Sequence, residues 1–291
     1  MIKKFLSLII IILIASSCKK AEDPFVPHTD DINVFRNESQ TLDLDLHSGE
    51  YLLADLSEHE ILYENLCDLS IYPASLTKVM TMDAVLHHIT DLSERSSISQ
   101  EQINELIAED ASIAYLKGDY AYTVEDLLYA LILPSGADGA LALENLFEKR
   151  GMDLVEEMNI LAESLGCSST HFMNPTGLHD PDHYTSLHDL FLIITDVLRY
   201  EEGRKILETV EHTLEDGLKV ESTLKPLCQM ETAILGGKTG YTPEAGQSIL
   251  VLFRNSNRSY LLLLGNAMGS YTRKEYWHFE DTVHIFEALF Q

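Results

Sequence analysis

Apolar positions fall into blocks along the chain, and the length and spacing of each block predict an element. Tyr51-Leu52-Leu53-Ala54-Asp55-Leu56 and Ile61-Leu62-Tyr63-Glu64-Asn65-Leu66 are strand-length runs on either side of a polar turn at 57–60. Such a pair predicts a β-hairpin. Ser248-Ile249-Leu250-Val251-Leu252-Phe253 and Tyr260-Leu261-Leu262-Leu263-Leu264-Gly265 repeat the arrangement around a turn at 254–258. The blocks between the two hairpins are longer. Val79, Met80, Met82, Val85, Leu86 and Ile89 predict a helix over about 75–90. Pro73 cannot continue that helix backwards but suits a first turn. Thr123 is placed to cap a helix ending at 132, with Asp126 three residues on in a capping-box position. Further helices are predicted over about 100–108, 138–149, 153–165 and 276–289, and from a Thr185 or Ser186 cap to about 200. Strands first, helices in the middle and strands last imply an α+β domain, an antiparallel sheet packed with helices.

The first residues follow a different pattern. Met1-Ile2-Lys3-Lys4 is basic, 5–14 is almost wholly apolar, and Ala15-Ser16-Ser17-Cys18 is small. This is the layout of a secretory signal, too short for a comfortable membrane span. Cys18 after small residues resembles a bacterial lipoprotein signal, cut before a cysteine that then carries lipid. Ala15 departs from that pattern, where a larger aliphatic residue is usual. An ordinary cleaved signal and an uncleaved anchor are the alternatives, and all three export the chain. Residues 19–42 are acidic, carry Pro24 and Pro27 and lack periodicity, which reads as a flexible tether. Residues 43–291 remain as one globular domain.

Composition narrows the function classes. Hydrophobic residues make up 45% of 291 positions, enough for a sizeable core. The formal charge of −27 excludes nucleic acid as a partner, since phosphate binding needs basic patches. With Cys18 lipidated, Cys67, Cys167 and Cys228 remain, and they read as small buried apolar residues rather than a disulfide framework. His179, His183 and His188, with Asp180 and Asp182, fit no common zinc spacing and read as a loop punctuated by Asn174-Pro175 and Gly177.

Candidate chemistry starts at Ser75-Leu76-Thr77-Lys78. Residues three apart share a helix face, so the Lys78 amine stands one turn beyond the Ser75 hydroxyl. A buried lysine loses its proton more readily, and a neutral amine beside a hydroxyl activates it as a nucleophile. Leu133-Pro134-Ser135-Gly136-Ala137-Asp138 follows a predicted helix, and Gly236-Gly237-Lys238-Thr239-Gly240 precedes a predicted strand. The order Ser-x-x-Lys, Ser-Gly-x, Lys-Thr-Gly resembles the motif set of penicillin-binding proteins and serine β-lactamases.

Pro73-Ala74-Ser75, Thr123-Val124-Glu125-Asp126-Leu127-Leu128, Asn174-Pro175-x-Gly177-Leu178-His179-Asp180 and Lys238-Thr239-Gly240-Tyr241-Thr242 sharpen that resemblance, from about Leu44 to the end, to the serine-type D-Ala-D-Ala carboxypeptidases, the low-molecular-weight penicillin-binding proteins. The resemblance implies a five-stranded antiparallel sheet flanked by helices, with the site between sheet and helical cluster. It implies removal of the last D-alanine from the peptidoglycan stem pentapeptide, acylation by β-lactams, and no cofactor or metal. It implies Ser75 as nucleophile and Lys78 as base, with Lys238 helping to lower the Lys78 pKa, and Ser135 as proton relay. Lys238, Thr239, Gly240 and Tyr241 would line the substrate edge, with the Ser75 and Tyr241 N–H groups as oxyanion hole. Arg273 stands where a carboxylate-binding arginine stands in relatives. Ala137 replaces the usual asparagine, whose amide clamps the substrate.

A β-lactamase on the same fold is the competing enzyme, but no Glu-x-x-Leu-Asn motif lies between Ser135 and Lys238. A wall-binding protein with weak or no turnover is the non-enzyme alternative, argued from Ala137. Glu280, Asp281 and Glu287 make the last predicted helix acidic, whereas a membrane-surface helix is normally basic. Attachment is therefore expected at Cys18, on the outer face of the cytoplasmic membrane.

Overall fold

The computed structural model describes residues 35–290. The signal, Cys18 and the tether up to 34 lie outside the described residues. β1 (Arg36–Gln40), β2 (Glu50–Asp55) and β3 (Glu60–Asn65) come first. α1 (Thr77–His88), β4 (Arg95–Ser96), α2 (Gln100–Ala108), β5 (Tyr122–Thr123), α3 (Val124–Ile132), α4 (Ala137–Lys149), α5 (Leu154–Ser164), α6 (Leu187–Val197) and α7 (Glu201–Leu207) form the helical middle. β6 (Glu211–Thr213), β7 (Lys219–Glu221) and α8 (Lys225–Met230) lead to β8 (Ile234–Thr242), β9 (Gly246–Asn255), β10 (Arg258–Ala267) and α9 (Trp277–Phe290).

The main sheet runs β1-β3-β2-β10-β9-β8. Its five strands from β3 to β8 are antiparallel neighbours, as expected. The sixth, β1, pairs parallel to β3, with Arg36 opposite Glu60 and Asn37 opposite Ile61. It lies inside the stretch read as tether, whose strand portion joins the domain instead. The sequence Arg-Asn-Glu-Ser-Gln carries no apolar alternation. Only the free backbone edge of β3 makes it a strand, and that edge is a property of the tertiary structure.

Both sheet faces are covered, so the strands are nearly continuous apolar runs rather than alternating ones. Leu52, Ala54, Leu250, Leu252, Leu261 and Leu263 face the helical cluster with α1, α3 and α6. Tyr51, Leu53, Ile249, Val251, Leu262 and Leu264 face Ile285 and Phe286 of α9. The period of two along each strand sorts these residues. α1 is buried without a break from Thr77 to Leu86, so its sequence is a block and not a stripe. Truncating a leucine in such a core to alanine costs roughly 2–5 kcal/mol.

Local chemistry sets the helix starts. Ser186, not Thr185, caps α6 by accepting from Asp189 N–H; Thr185 pairs through its backbone with Ile71. Thr123 accepts from Asp126 N–H at 3.1 Å, but the Asp126 carboxylate does not fold back to complete a box. It accepts from Glu215 N–H at 2.9 Å and bonds His212, tying α3 to the β6–β7 hairpin. The reciprocal capping box sits instead at Ser99 and Gln102, opening α2. Cys67 is buried, Cys167 and Cys228 are partly so, and all three are free thiols. Burial pushes the Cys67 and Cys167 thiols up to about 12, so they are inert.

Candidate active site

Pro73 sets up a short 3-10 turn, Ala74–Leu76, that runs straight into α1. Ser75 sits in that turn and Lys78 one turn further on. The Lys78 amine donates to Ser75 Oγ at 3.1 Å and to the Thr176 carbonyl at 2.5 Å. Lys78 is only 2% exposed. Burial pulls its pKa down to about 7, with the Asp138 carboxylate pulling weakly the other way. A large share of the amine is therefore neutral near pH 7. The cause is burial, and the expected help from the Lys238 charge is not among the leading effects on Lys78.

The middle motif comes off the end of α3. Ser135 adopts a left-handed backbone, φ 65°, which costs a non-glycine residue about 1–2 kcal/mol. Such strain persists only where the surroundings enforce it. The Lys238 amine, on β8, reaches across to Ser135 Oγ at 2.8 Å and also bonds the Thr239 carbonyl at 2.7 Å. Lys238 is fully buried, and burial followed by the nearby Lys78 charge holds its pKa well below the usual lysine range. Two buried amines that feel each other's charge cannot both be charged cheaply.

β8 lies at the free edge of the main sheet, so an extended peptide can add alongside it. Gly240 lets that edge press against the nucleophile's turn: a Cβ there would stand 3.0 Å from the Pro73 carbonyl oxygen. The contact brings Tyr241 to the same cavity walls as Ser75. Thr239 Oγ1 bonds Thr223 Oγ1 at 2.8 Å.

The loop after α5 braces the lysine. Asn174 Oδ1 accepts from Thr176 N–H, the Thr176 hydroxyl and Gly177 N–H at 2.8–3.1 Å, and its amide donates to Leu178 O. That network aims the Thr176 carbonyl at Lys78. Thr81 Oγ1 donates to the Pro175 carbonyl at 2.7 Å from α1. His183 accepts from Met173 N–H through Nδ1, so its Nε2–H donates to Thr77 Oγ1 at 2.7 Å. Burial lowers its pKa to about 4, which keeps it neutral in this role. The other two histidines of the loop go elsewhere: His179 packs edge-on against Tyr72 and His188 bonds Asp68. The three do not converge.

Two cavity lobes meet at Ser75, Ser112 and Tyr241. One, about 1010 Å³, runs over Ser135, Thr223 and Thr239 to an apolar wall of Met230, Tyr276, Phe279 and Val283. The other, about 970 Å³, holds Lys78, Ala137 and 173–179 and is walled by Glu105, Glu109, Asp110, Glu144 and Glu244. Burial and the neighbouring Glu148 and Asp153 raise the Glu144 pKa to about 7.

The model of the peptidase S11 family, D-alanyl-D-alanine carboxypeptidase, matches residues 36–264. The chain belongs to that family. It is 26% identical over 239 residues to the D-alanyl-D-alanine carboxypeptidase DacF of Bacillus subtilis, covering 81% of this chain and 61% of that one. It is 28% identical over 240 residues to DacA of Haemophilus influenzae, covering 77% of this chain and 58% of that one. The chain thus spans less than two thirds of the length of these curated relatives. The fold is that of the Streptomyces K15 DD-transpeptidase, with a TM-score of 0.75 at 23% identity over 85% of this chain and 98% of that one.

Within this S11 domain, Ser75, Lys78, Ser135, Lys238, Thr239, Gly240 and Tyr241 come together as the motifs suggested. Arg273 stands apart. It lies in the 3-10 turn Tyr271–Arg273, is two-thirds exposed, and donates through Nε and Nη2 to Glu275, each at 2.8 Å. It does not line either lobe, although Tyr271, two residues earlier, packs its ring against Tyr241. Ala137 is buried at the start of α4 and presents a methyl to the second lobe.

Several residues that build the site belong to none of the motifs. Asp138, buried beside Ala137, accepts from the N–H groups of Ala114, Leu116 and Gly139 at 2.8–3.0 Å. With Ala137 N–H on the Ser112 carbonyl, it fixes Ser112 on the cavity wall that it shares with Ser75. Thr223 and the Thr176 carbonyl are likewise outside the motifs, and their partners Thr239 and Lys78 are distant in sequence. The only available signal was that Asp138 and Thr176 adjoin the motifs.

Proposed function

We propose that the protein is a serine D-Ala-D-Ala carboxypeptidase that removes the terminal D-alanine from peptidoglycan stem pentapeptides. The observation that carries this reading is the partly neutral Lys78 amine 3.1 Å from Ser75 Oγ, in a buried site open to a sheet edge. Ser75 Oγ attacks the carbonyl carbon between the two D-alanines, and its proton passes to Lys78 Nζ. General-base catalysis of this kind contributes about 10²–10⁴-fold. The N–H groups of Ser75 and Tyr241 take the developing oxyanion, each worth roughly 3 kcal/mol. The C–N bond then breaks, leaving an ester on Ser75, and the departing amine gains a proton relayed through the Ser135 hydroxyl. Water hydrolyses the ester and releases the shortened peptide.

Lys238 and Thr239 receive the substrate's terminal carboxylate. Its negative charge favours the ammonium form of Lys238, which leaves Lys78 as the neutral member of the pair. Arg273 is a second carboxylate contact, released from Glu275 when substrate enters. Support for it is that Tyr271, two residues earlier in the same turn, lines the first lobe. Arg273→Ala should then raise KM more than it lowers kcat.

The missing amide at Ala137 favours a second reading on the same fold, a penicillin-binding protein with weak turnover. Release of D-alanine from a diacetyl-lysyl-D-Ala-D-Ala peptide separates the two. The carboxypeptidase reading expects turnover in wild type, none in Ser75→Ala, and covalent labelling by penicillin only when Ser75 is present. Labelling without any turnover would leave the binding role.

Cys18 carries lipid and anchors the domain outside the cytoplasm, where its wall substrate is, with the acidic segment after it as spacer. Its support is the basic start, apolar run and small residues that lead to Cys18. One acyl chain binds a membrane only marginally, but a lipoprotein cysteine carries several. Among the described residues no helix is long and apolar enough to cross a membrane.

A further inference from the structure

Asp83, on α1, is fully buried and neither of its carboxylate oxygens has a hydrogen-bond partner. Buried polar atoms are almost always paired, so an orphaned carboxylate calls for an explanation. It is not alone. His87, one turn along the same face, holds Nε2 3.8 Å from Asp83 Oδ1. Asp196, on α6, brings Oδ2 to 2.6 Å from the same nitrogen and is itself nearly buried. The three donor atoms lie within 4.8 Å of one another.

We propose that Asp83 Oδ1, His87 Nε2 and Asp196 Oδ2 form a site for a divalent transition-metal ion, zinc being the fitting representative, that ties α1 to α6. One imidazole and two carboxylates are a donor set that zinc accepts, at about 2.0–2.2 Å per bond. Tetrahedral donors around such an ion stand roughly 3.4 Å apart. The two separations to His87 Nε2 are 2.6 and 3.8 Å, and all three donors lie within 4.8 Å of one another, so side-chain shifts of about 1 Å close the site. The imidazole binds in its neutral form through Nε2, and the ion replaces the hydrogen bond that Nε2 now makes to Asp196 Oδ2. Arg199 Nη1 holds the other Asp196 oxygen at 3.1 Å, leaving Oδ2 for the ion. The Tyr200 ring packs edge-on against His87, whose side chain is one-third exposed and gives the ion a way in and room for a water as fourth ligand.

The nearest ligand, Asp83, stands five residues along α1 from Lys78, about 8 Å at the helical rise, and none of the three side chains lines either active-site lobe, so the ion takes no part in the peptide chemistry. It staples instead. α1 starts at the nucleophile, and α6 begins just after the loop that braces Lys78.

The test uses the full chain stripped with a chelator, then equilibrated with zinc. One zinc should bind per chain, the melting temperature should rise with zinc, and cobalt should bind with visible absorption. Loss of an outer-shell partner alone weakens a metal site about 10–100-fold, so His87→Ala and Asp196→Asn should weaken zinc at least that much. Both variants should still label with penicillin at the wild-type rate, which keeps this result distinct from the catalytic proposal. Zinc bound equally by wild type and His87→Ala would overturn the site, as would no stoichiometric binding to wild type. Asp83→Asn that binds zinc normally and melts higher when metal-free would also overturn it, by showing that Asp83 simply holds a proton.

Discussion

Gly177→Ala tests how tightly the loop and the nucleophile's turn are fitted. Gly177 has φ 80°, and a Cβ built there falls 2.0 Å from the Ala74 carbonyl oxygen, 2.5 Å from its carbon and 3.0 Å from Ser75 N. Ordinary contacts are roughly 3.5 Å, so the two backbones must part by about 1.5 Å. The turn has little room to retreat, because Gly240 of β8 already presses on it from another side. The displacement therefore falls on the Ser75, Lys78 and Thr176 geometry. Misplacing a reacting group by about 1 Å costs about 10²-fold, so the rate of acylation by labelled penicillin should drop 10²-fold or more. Left-handed backbone adds a stability cost of about 1–2 kcal/mol, a few degrees of melting temperature. Gly151→Ala is the control: its φ is 74°, but nothing lies within 4 Å of the added carbon. It should lose similar stability and no acylation rate. If folded Gly177→Ala acylates within threefold of wild type, the close fit does not govern the nucleophile.

Acylation should follow the protonation of Lys78. Its pKa is lowered to about 7 by burial, so the reactive neutral amine dominates above pH 7 and is lost below it. The rate should fall about tenfold per pH unit below that point; a midpoint near 10 in the pH profile would contradict the buried-amine reading. Ala137→Asn should raise turnover of a D-Ala-D-Ala peptide several-fold, since one hydrogen bond is worth about 1 kcal/mol; no gain would mean that the lobe is already complete. Cys18→Ser should move the protein out of the membrane fraction, and unchanged fractionation would refute the lipid anchor.

What the sequence determined alone is what short-range geometry controls. Ser75 and Lys78 meet because three residues make most of a helical turn, whatever else the chain does. The two hairpins were legible because their strands are adjacent in sequence and rich in apolar residues. The Thr123 and Ser186 caps act within one turn of their own helices. Family motifs added which distant residues belong to one site.

Tertiary structure decided the rest. β1 was invisible because a polar five-residue strand exists only on the edge that β3 offers. The β6–β7 hairpin has three-residue strands and is held by Asp126, whose side chain left the expected capping box to reach it. The Lys78 pKa is set by burial under elements far away in the chain, so no spacing rule could supply it. Ser135 meets Lys238 across 103 positions, and Thr176 meets Lys78 across 98. Asp83, His87 and Asp196 converge only where α1 packs on α6. Each is a contact between segments whose separation the chain alone does not fix, and the core packed between them brings them together.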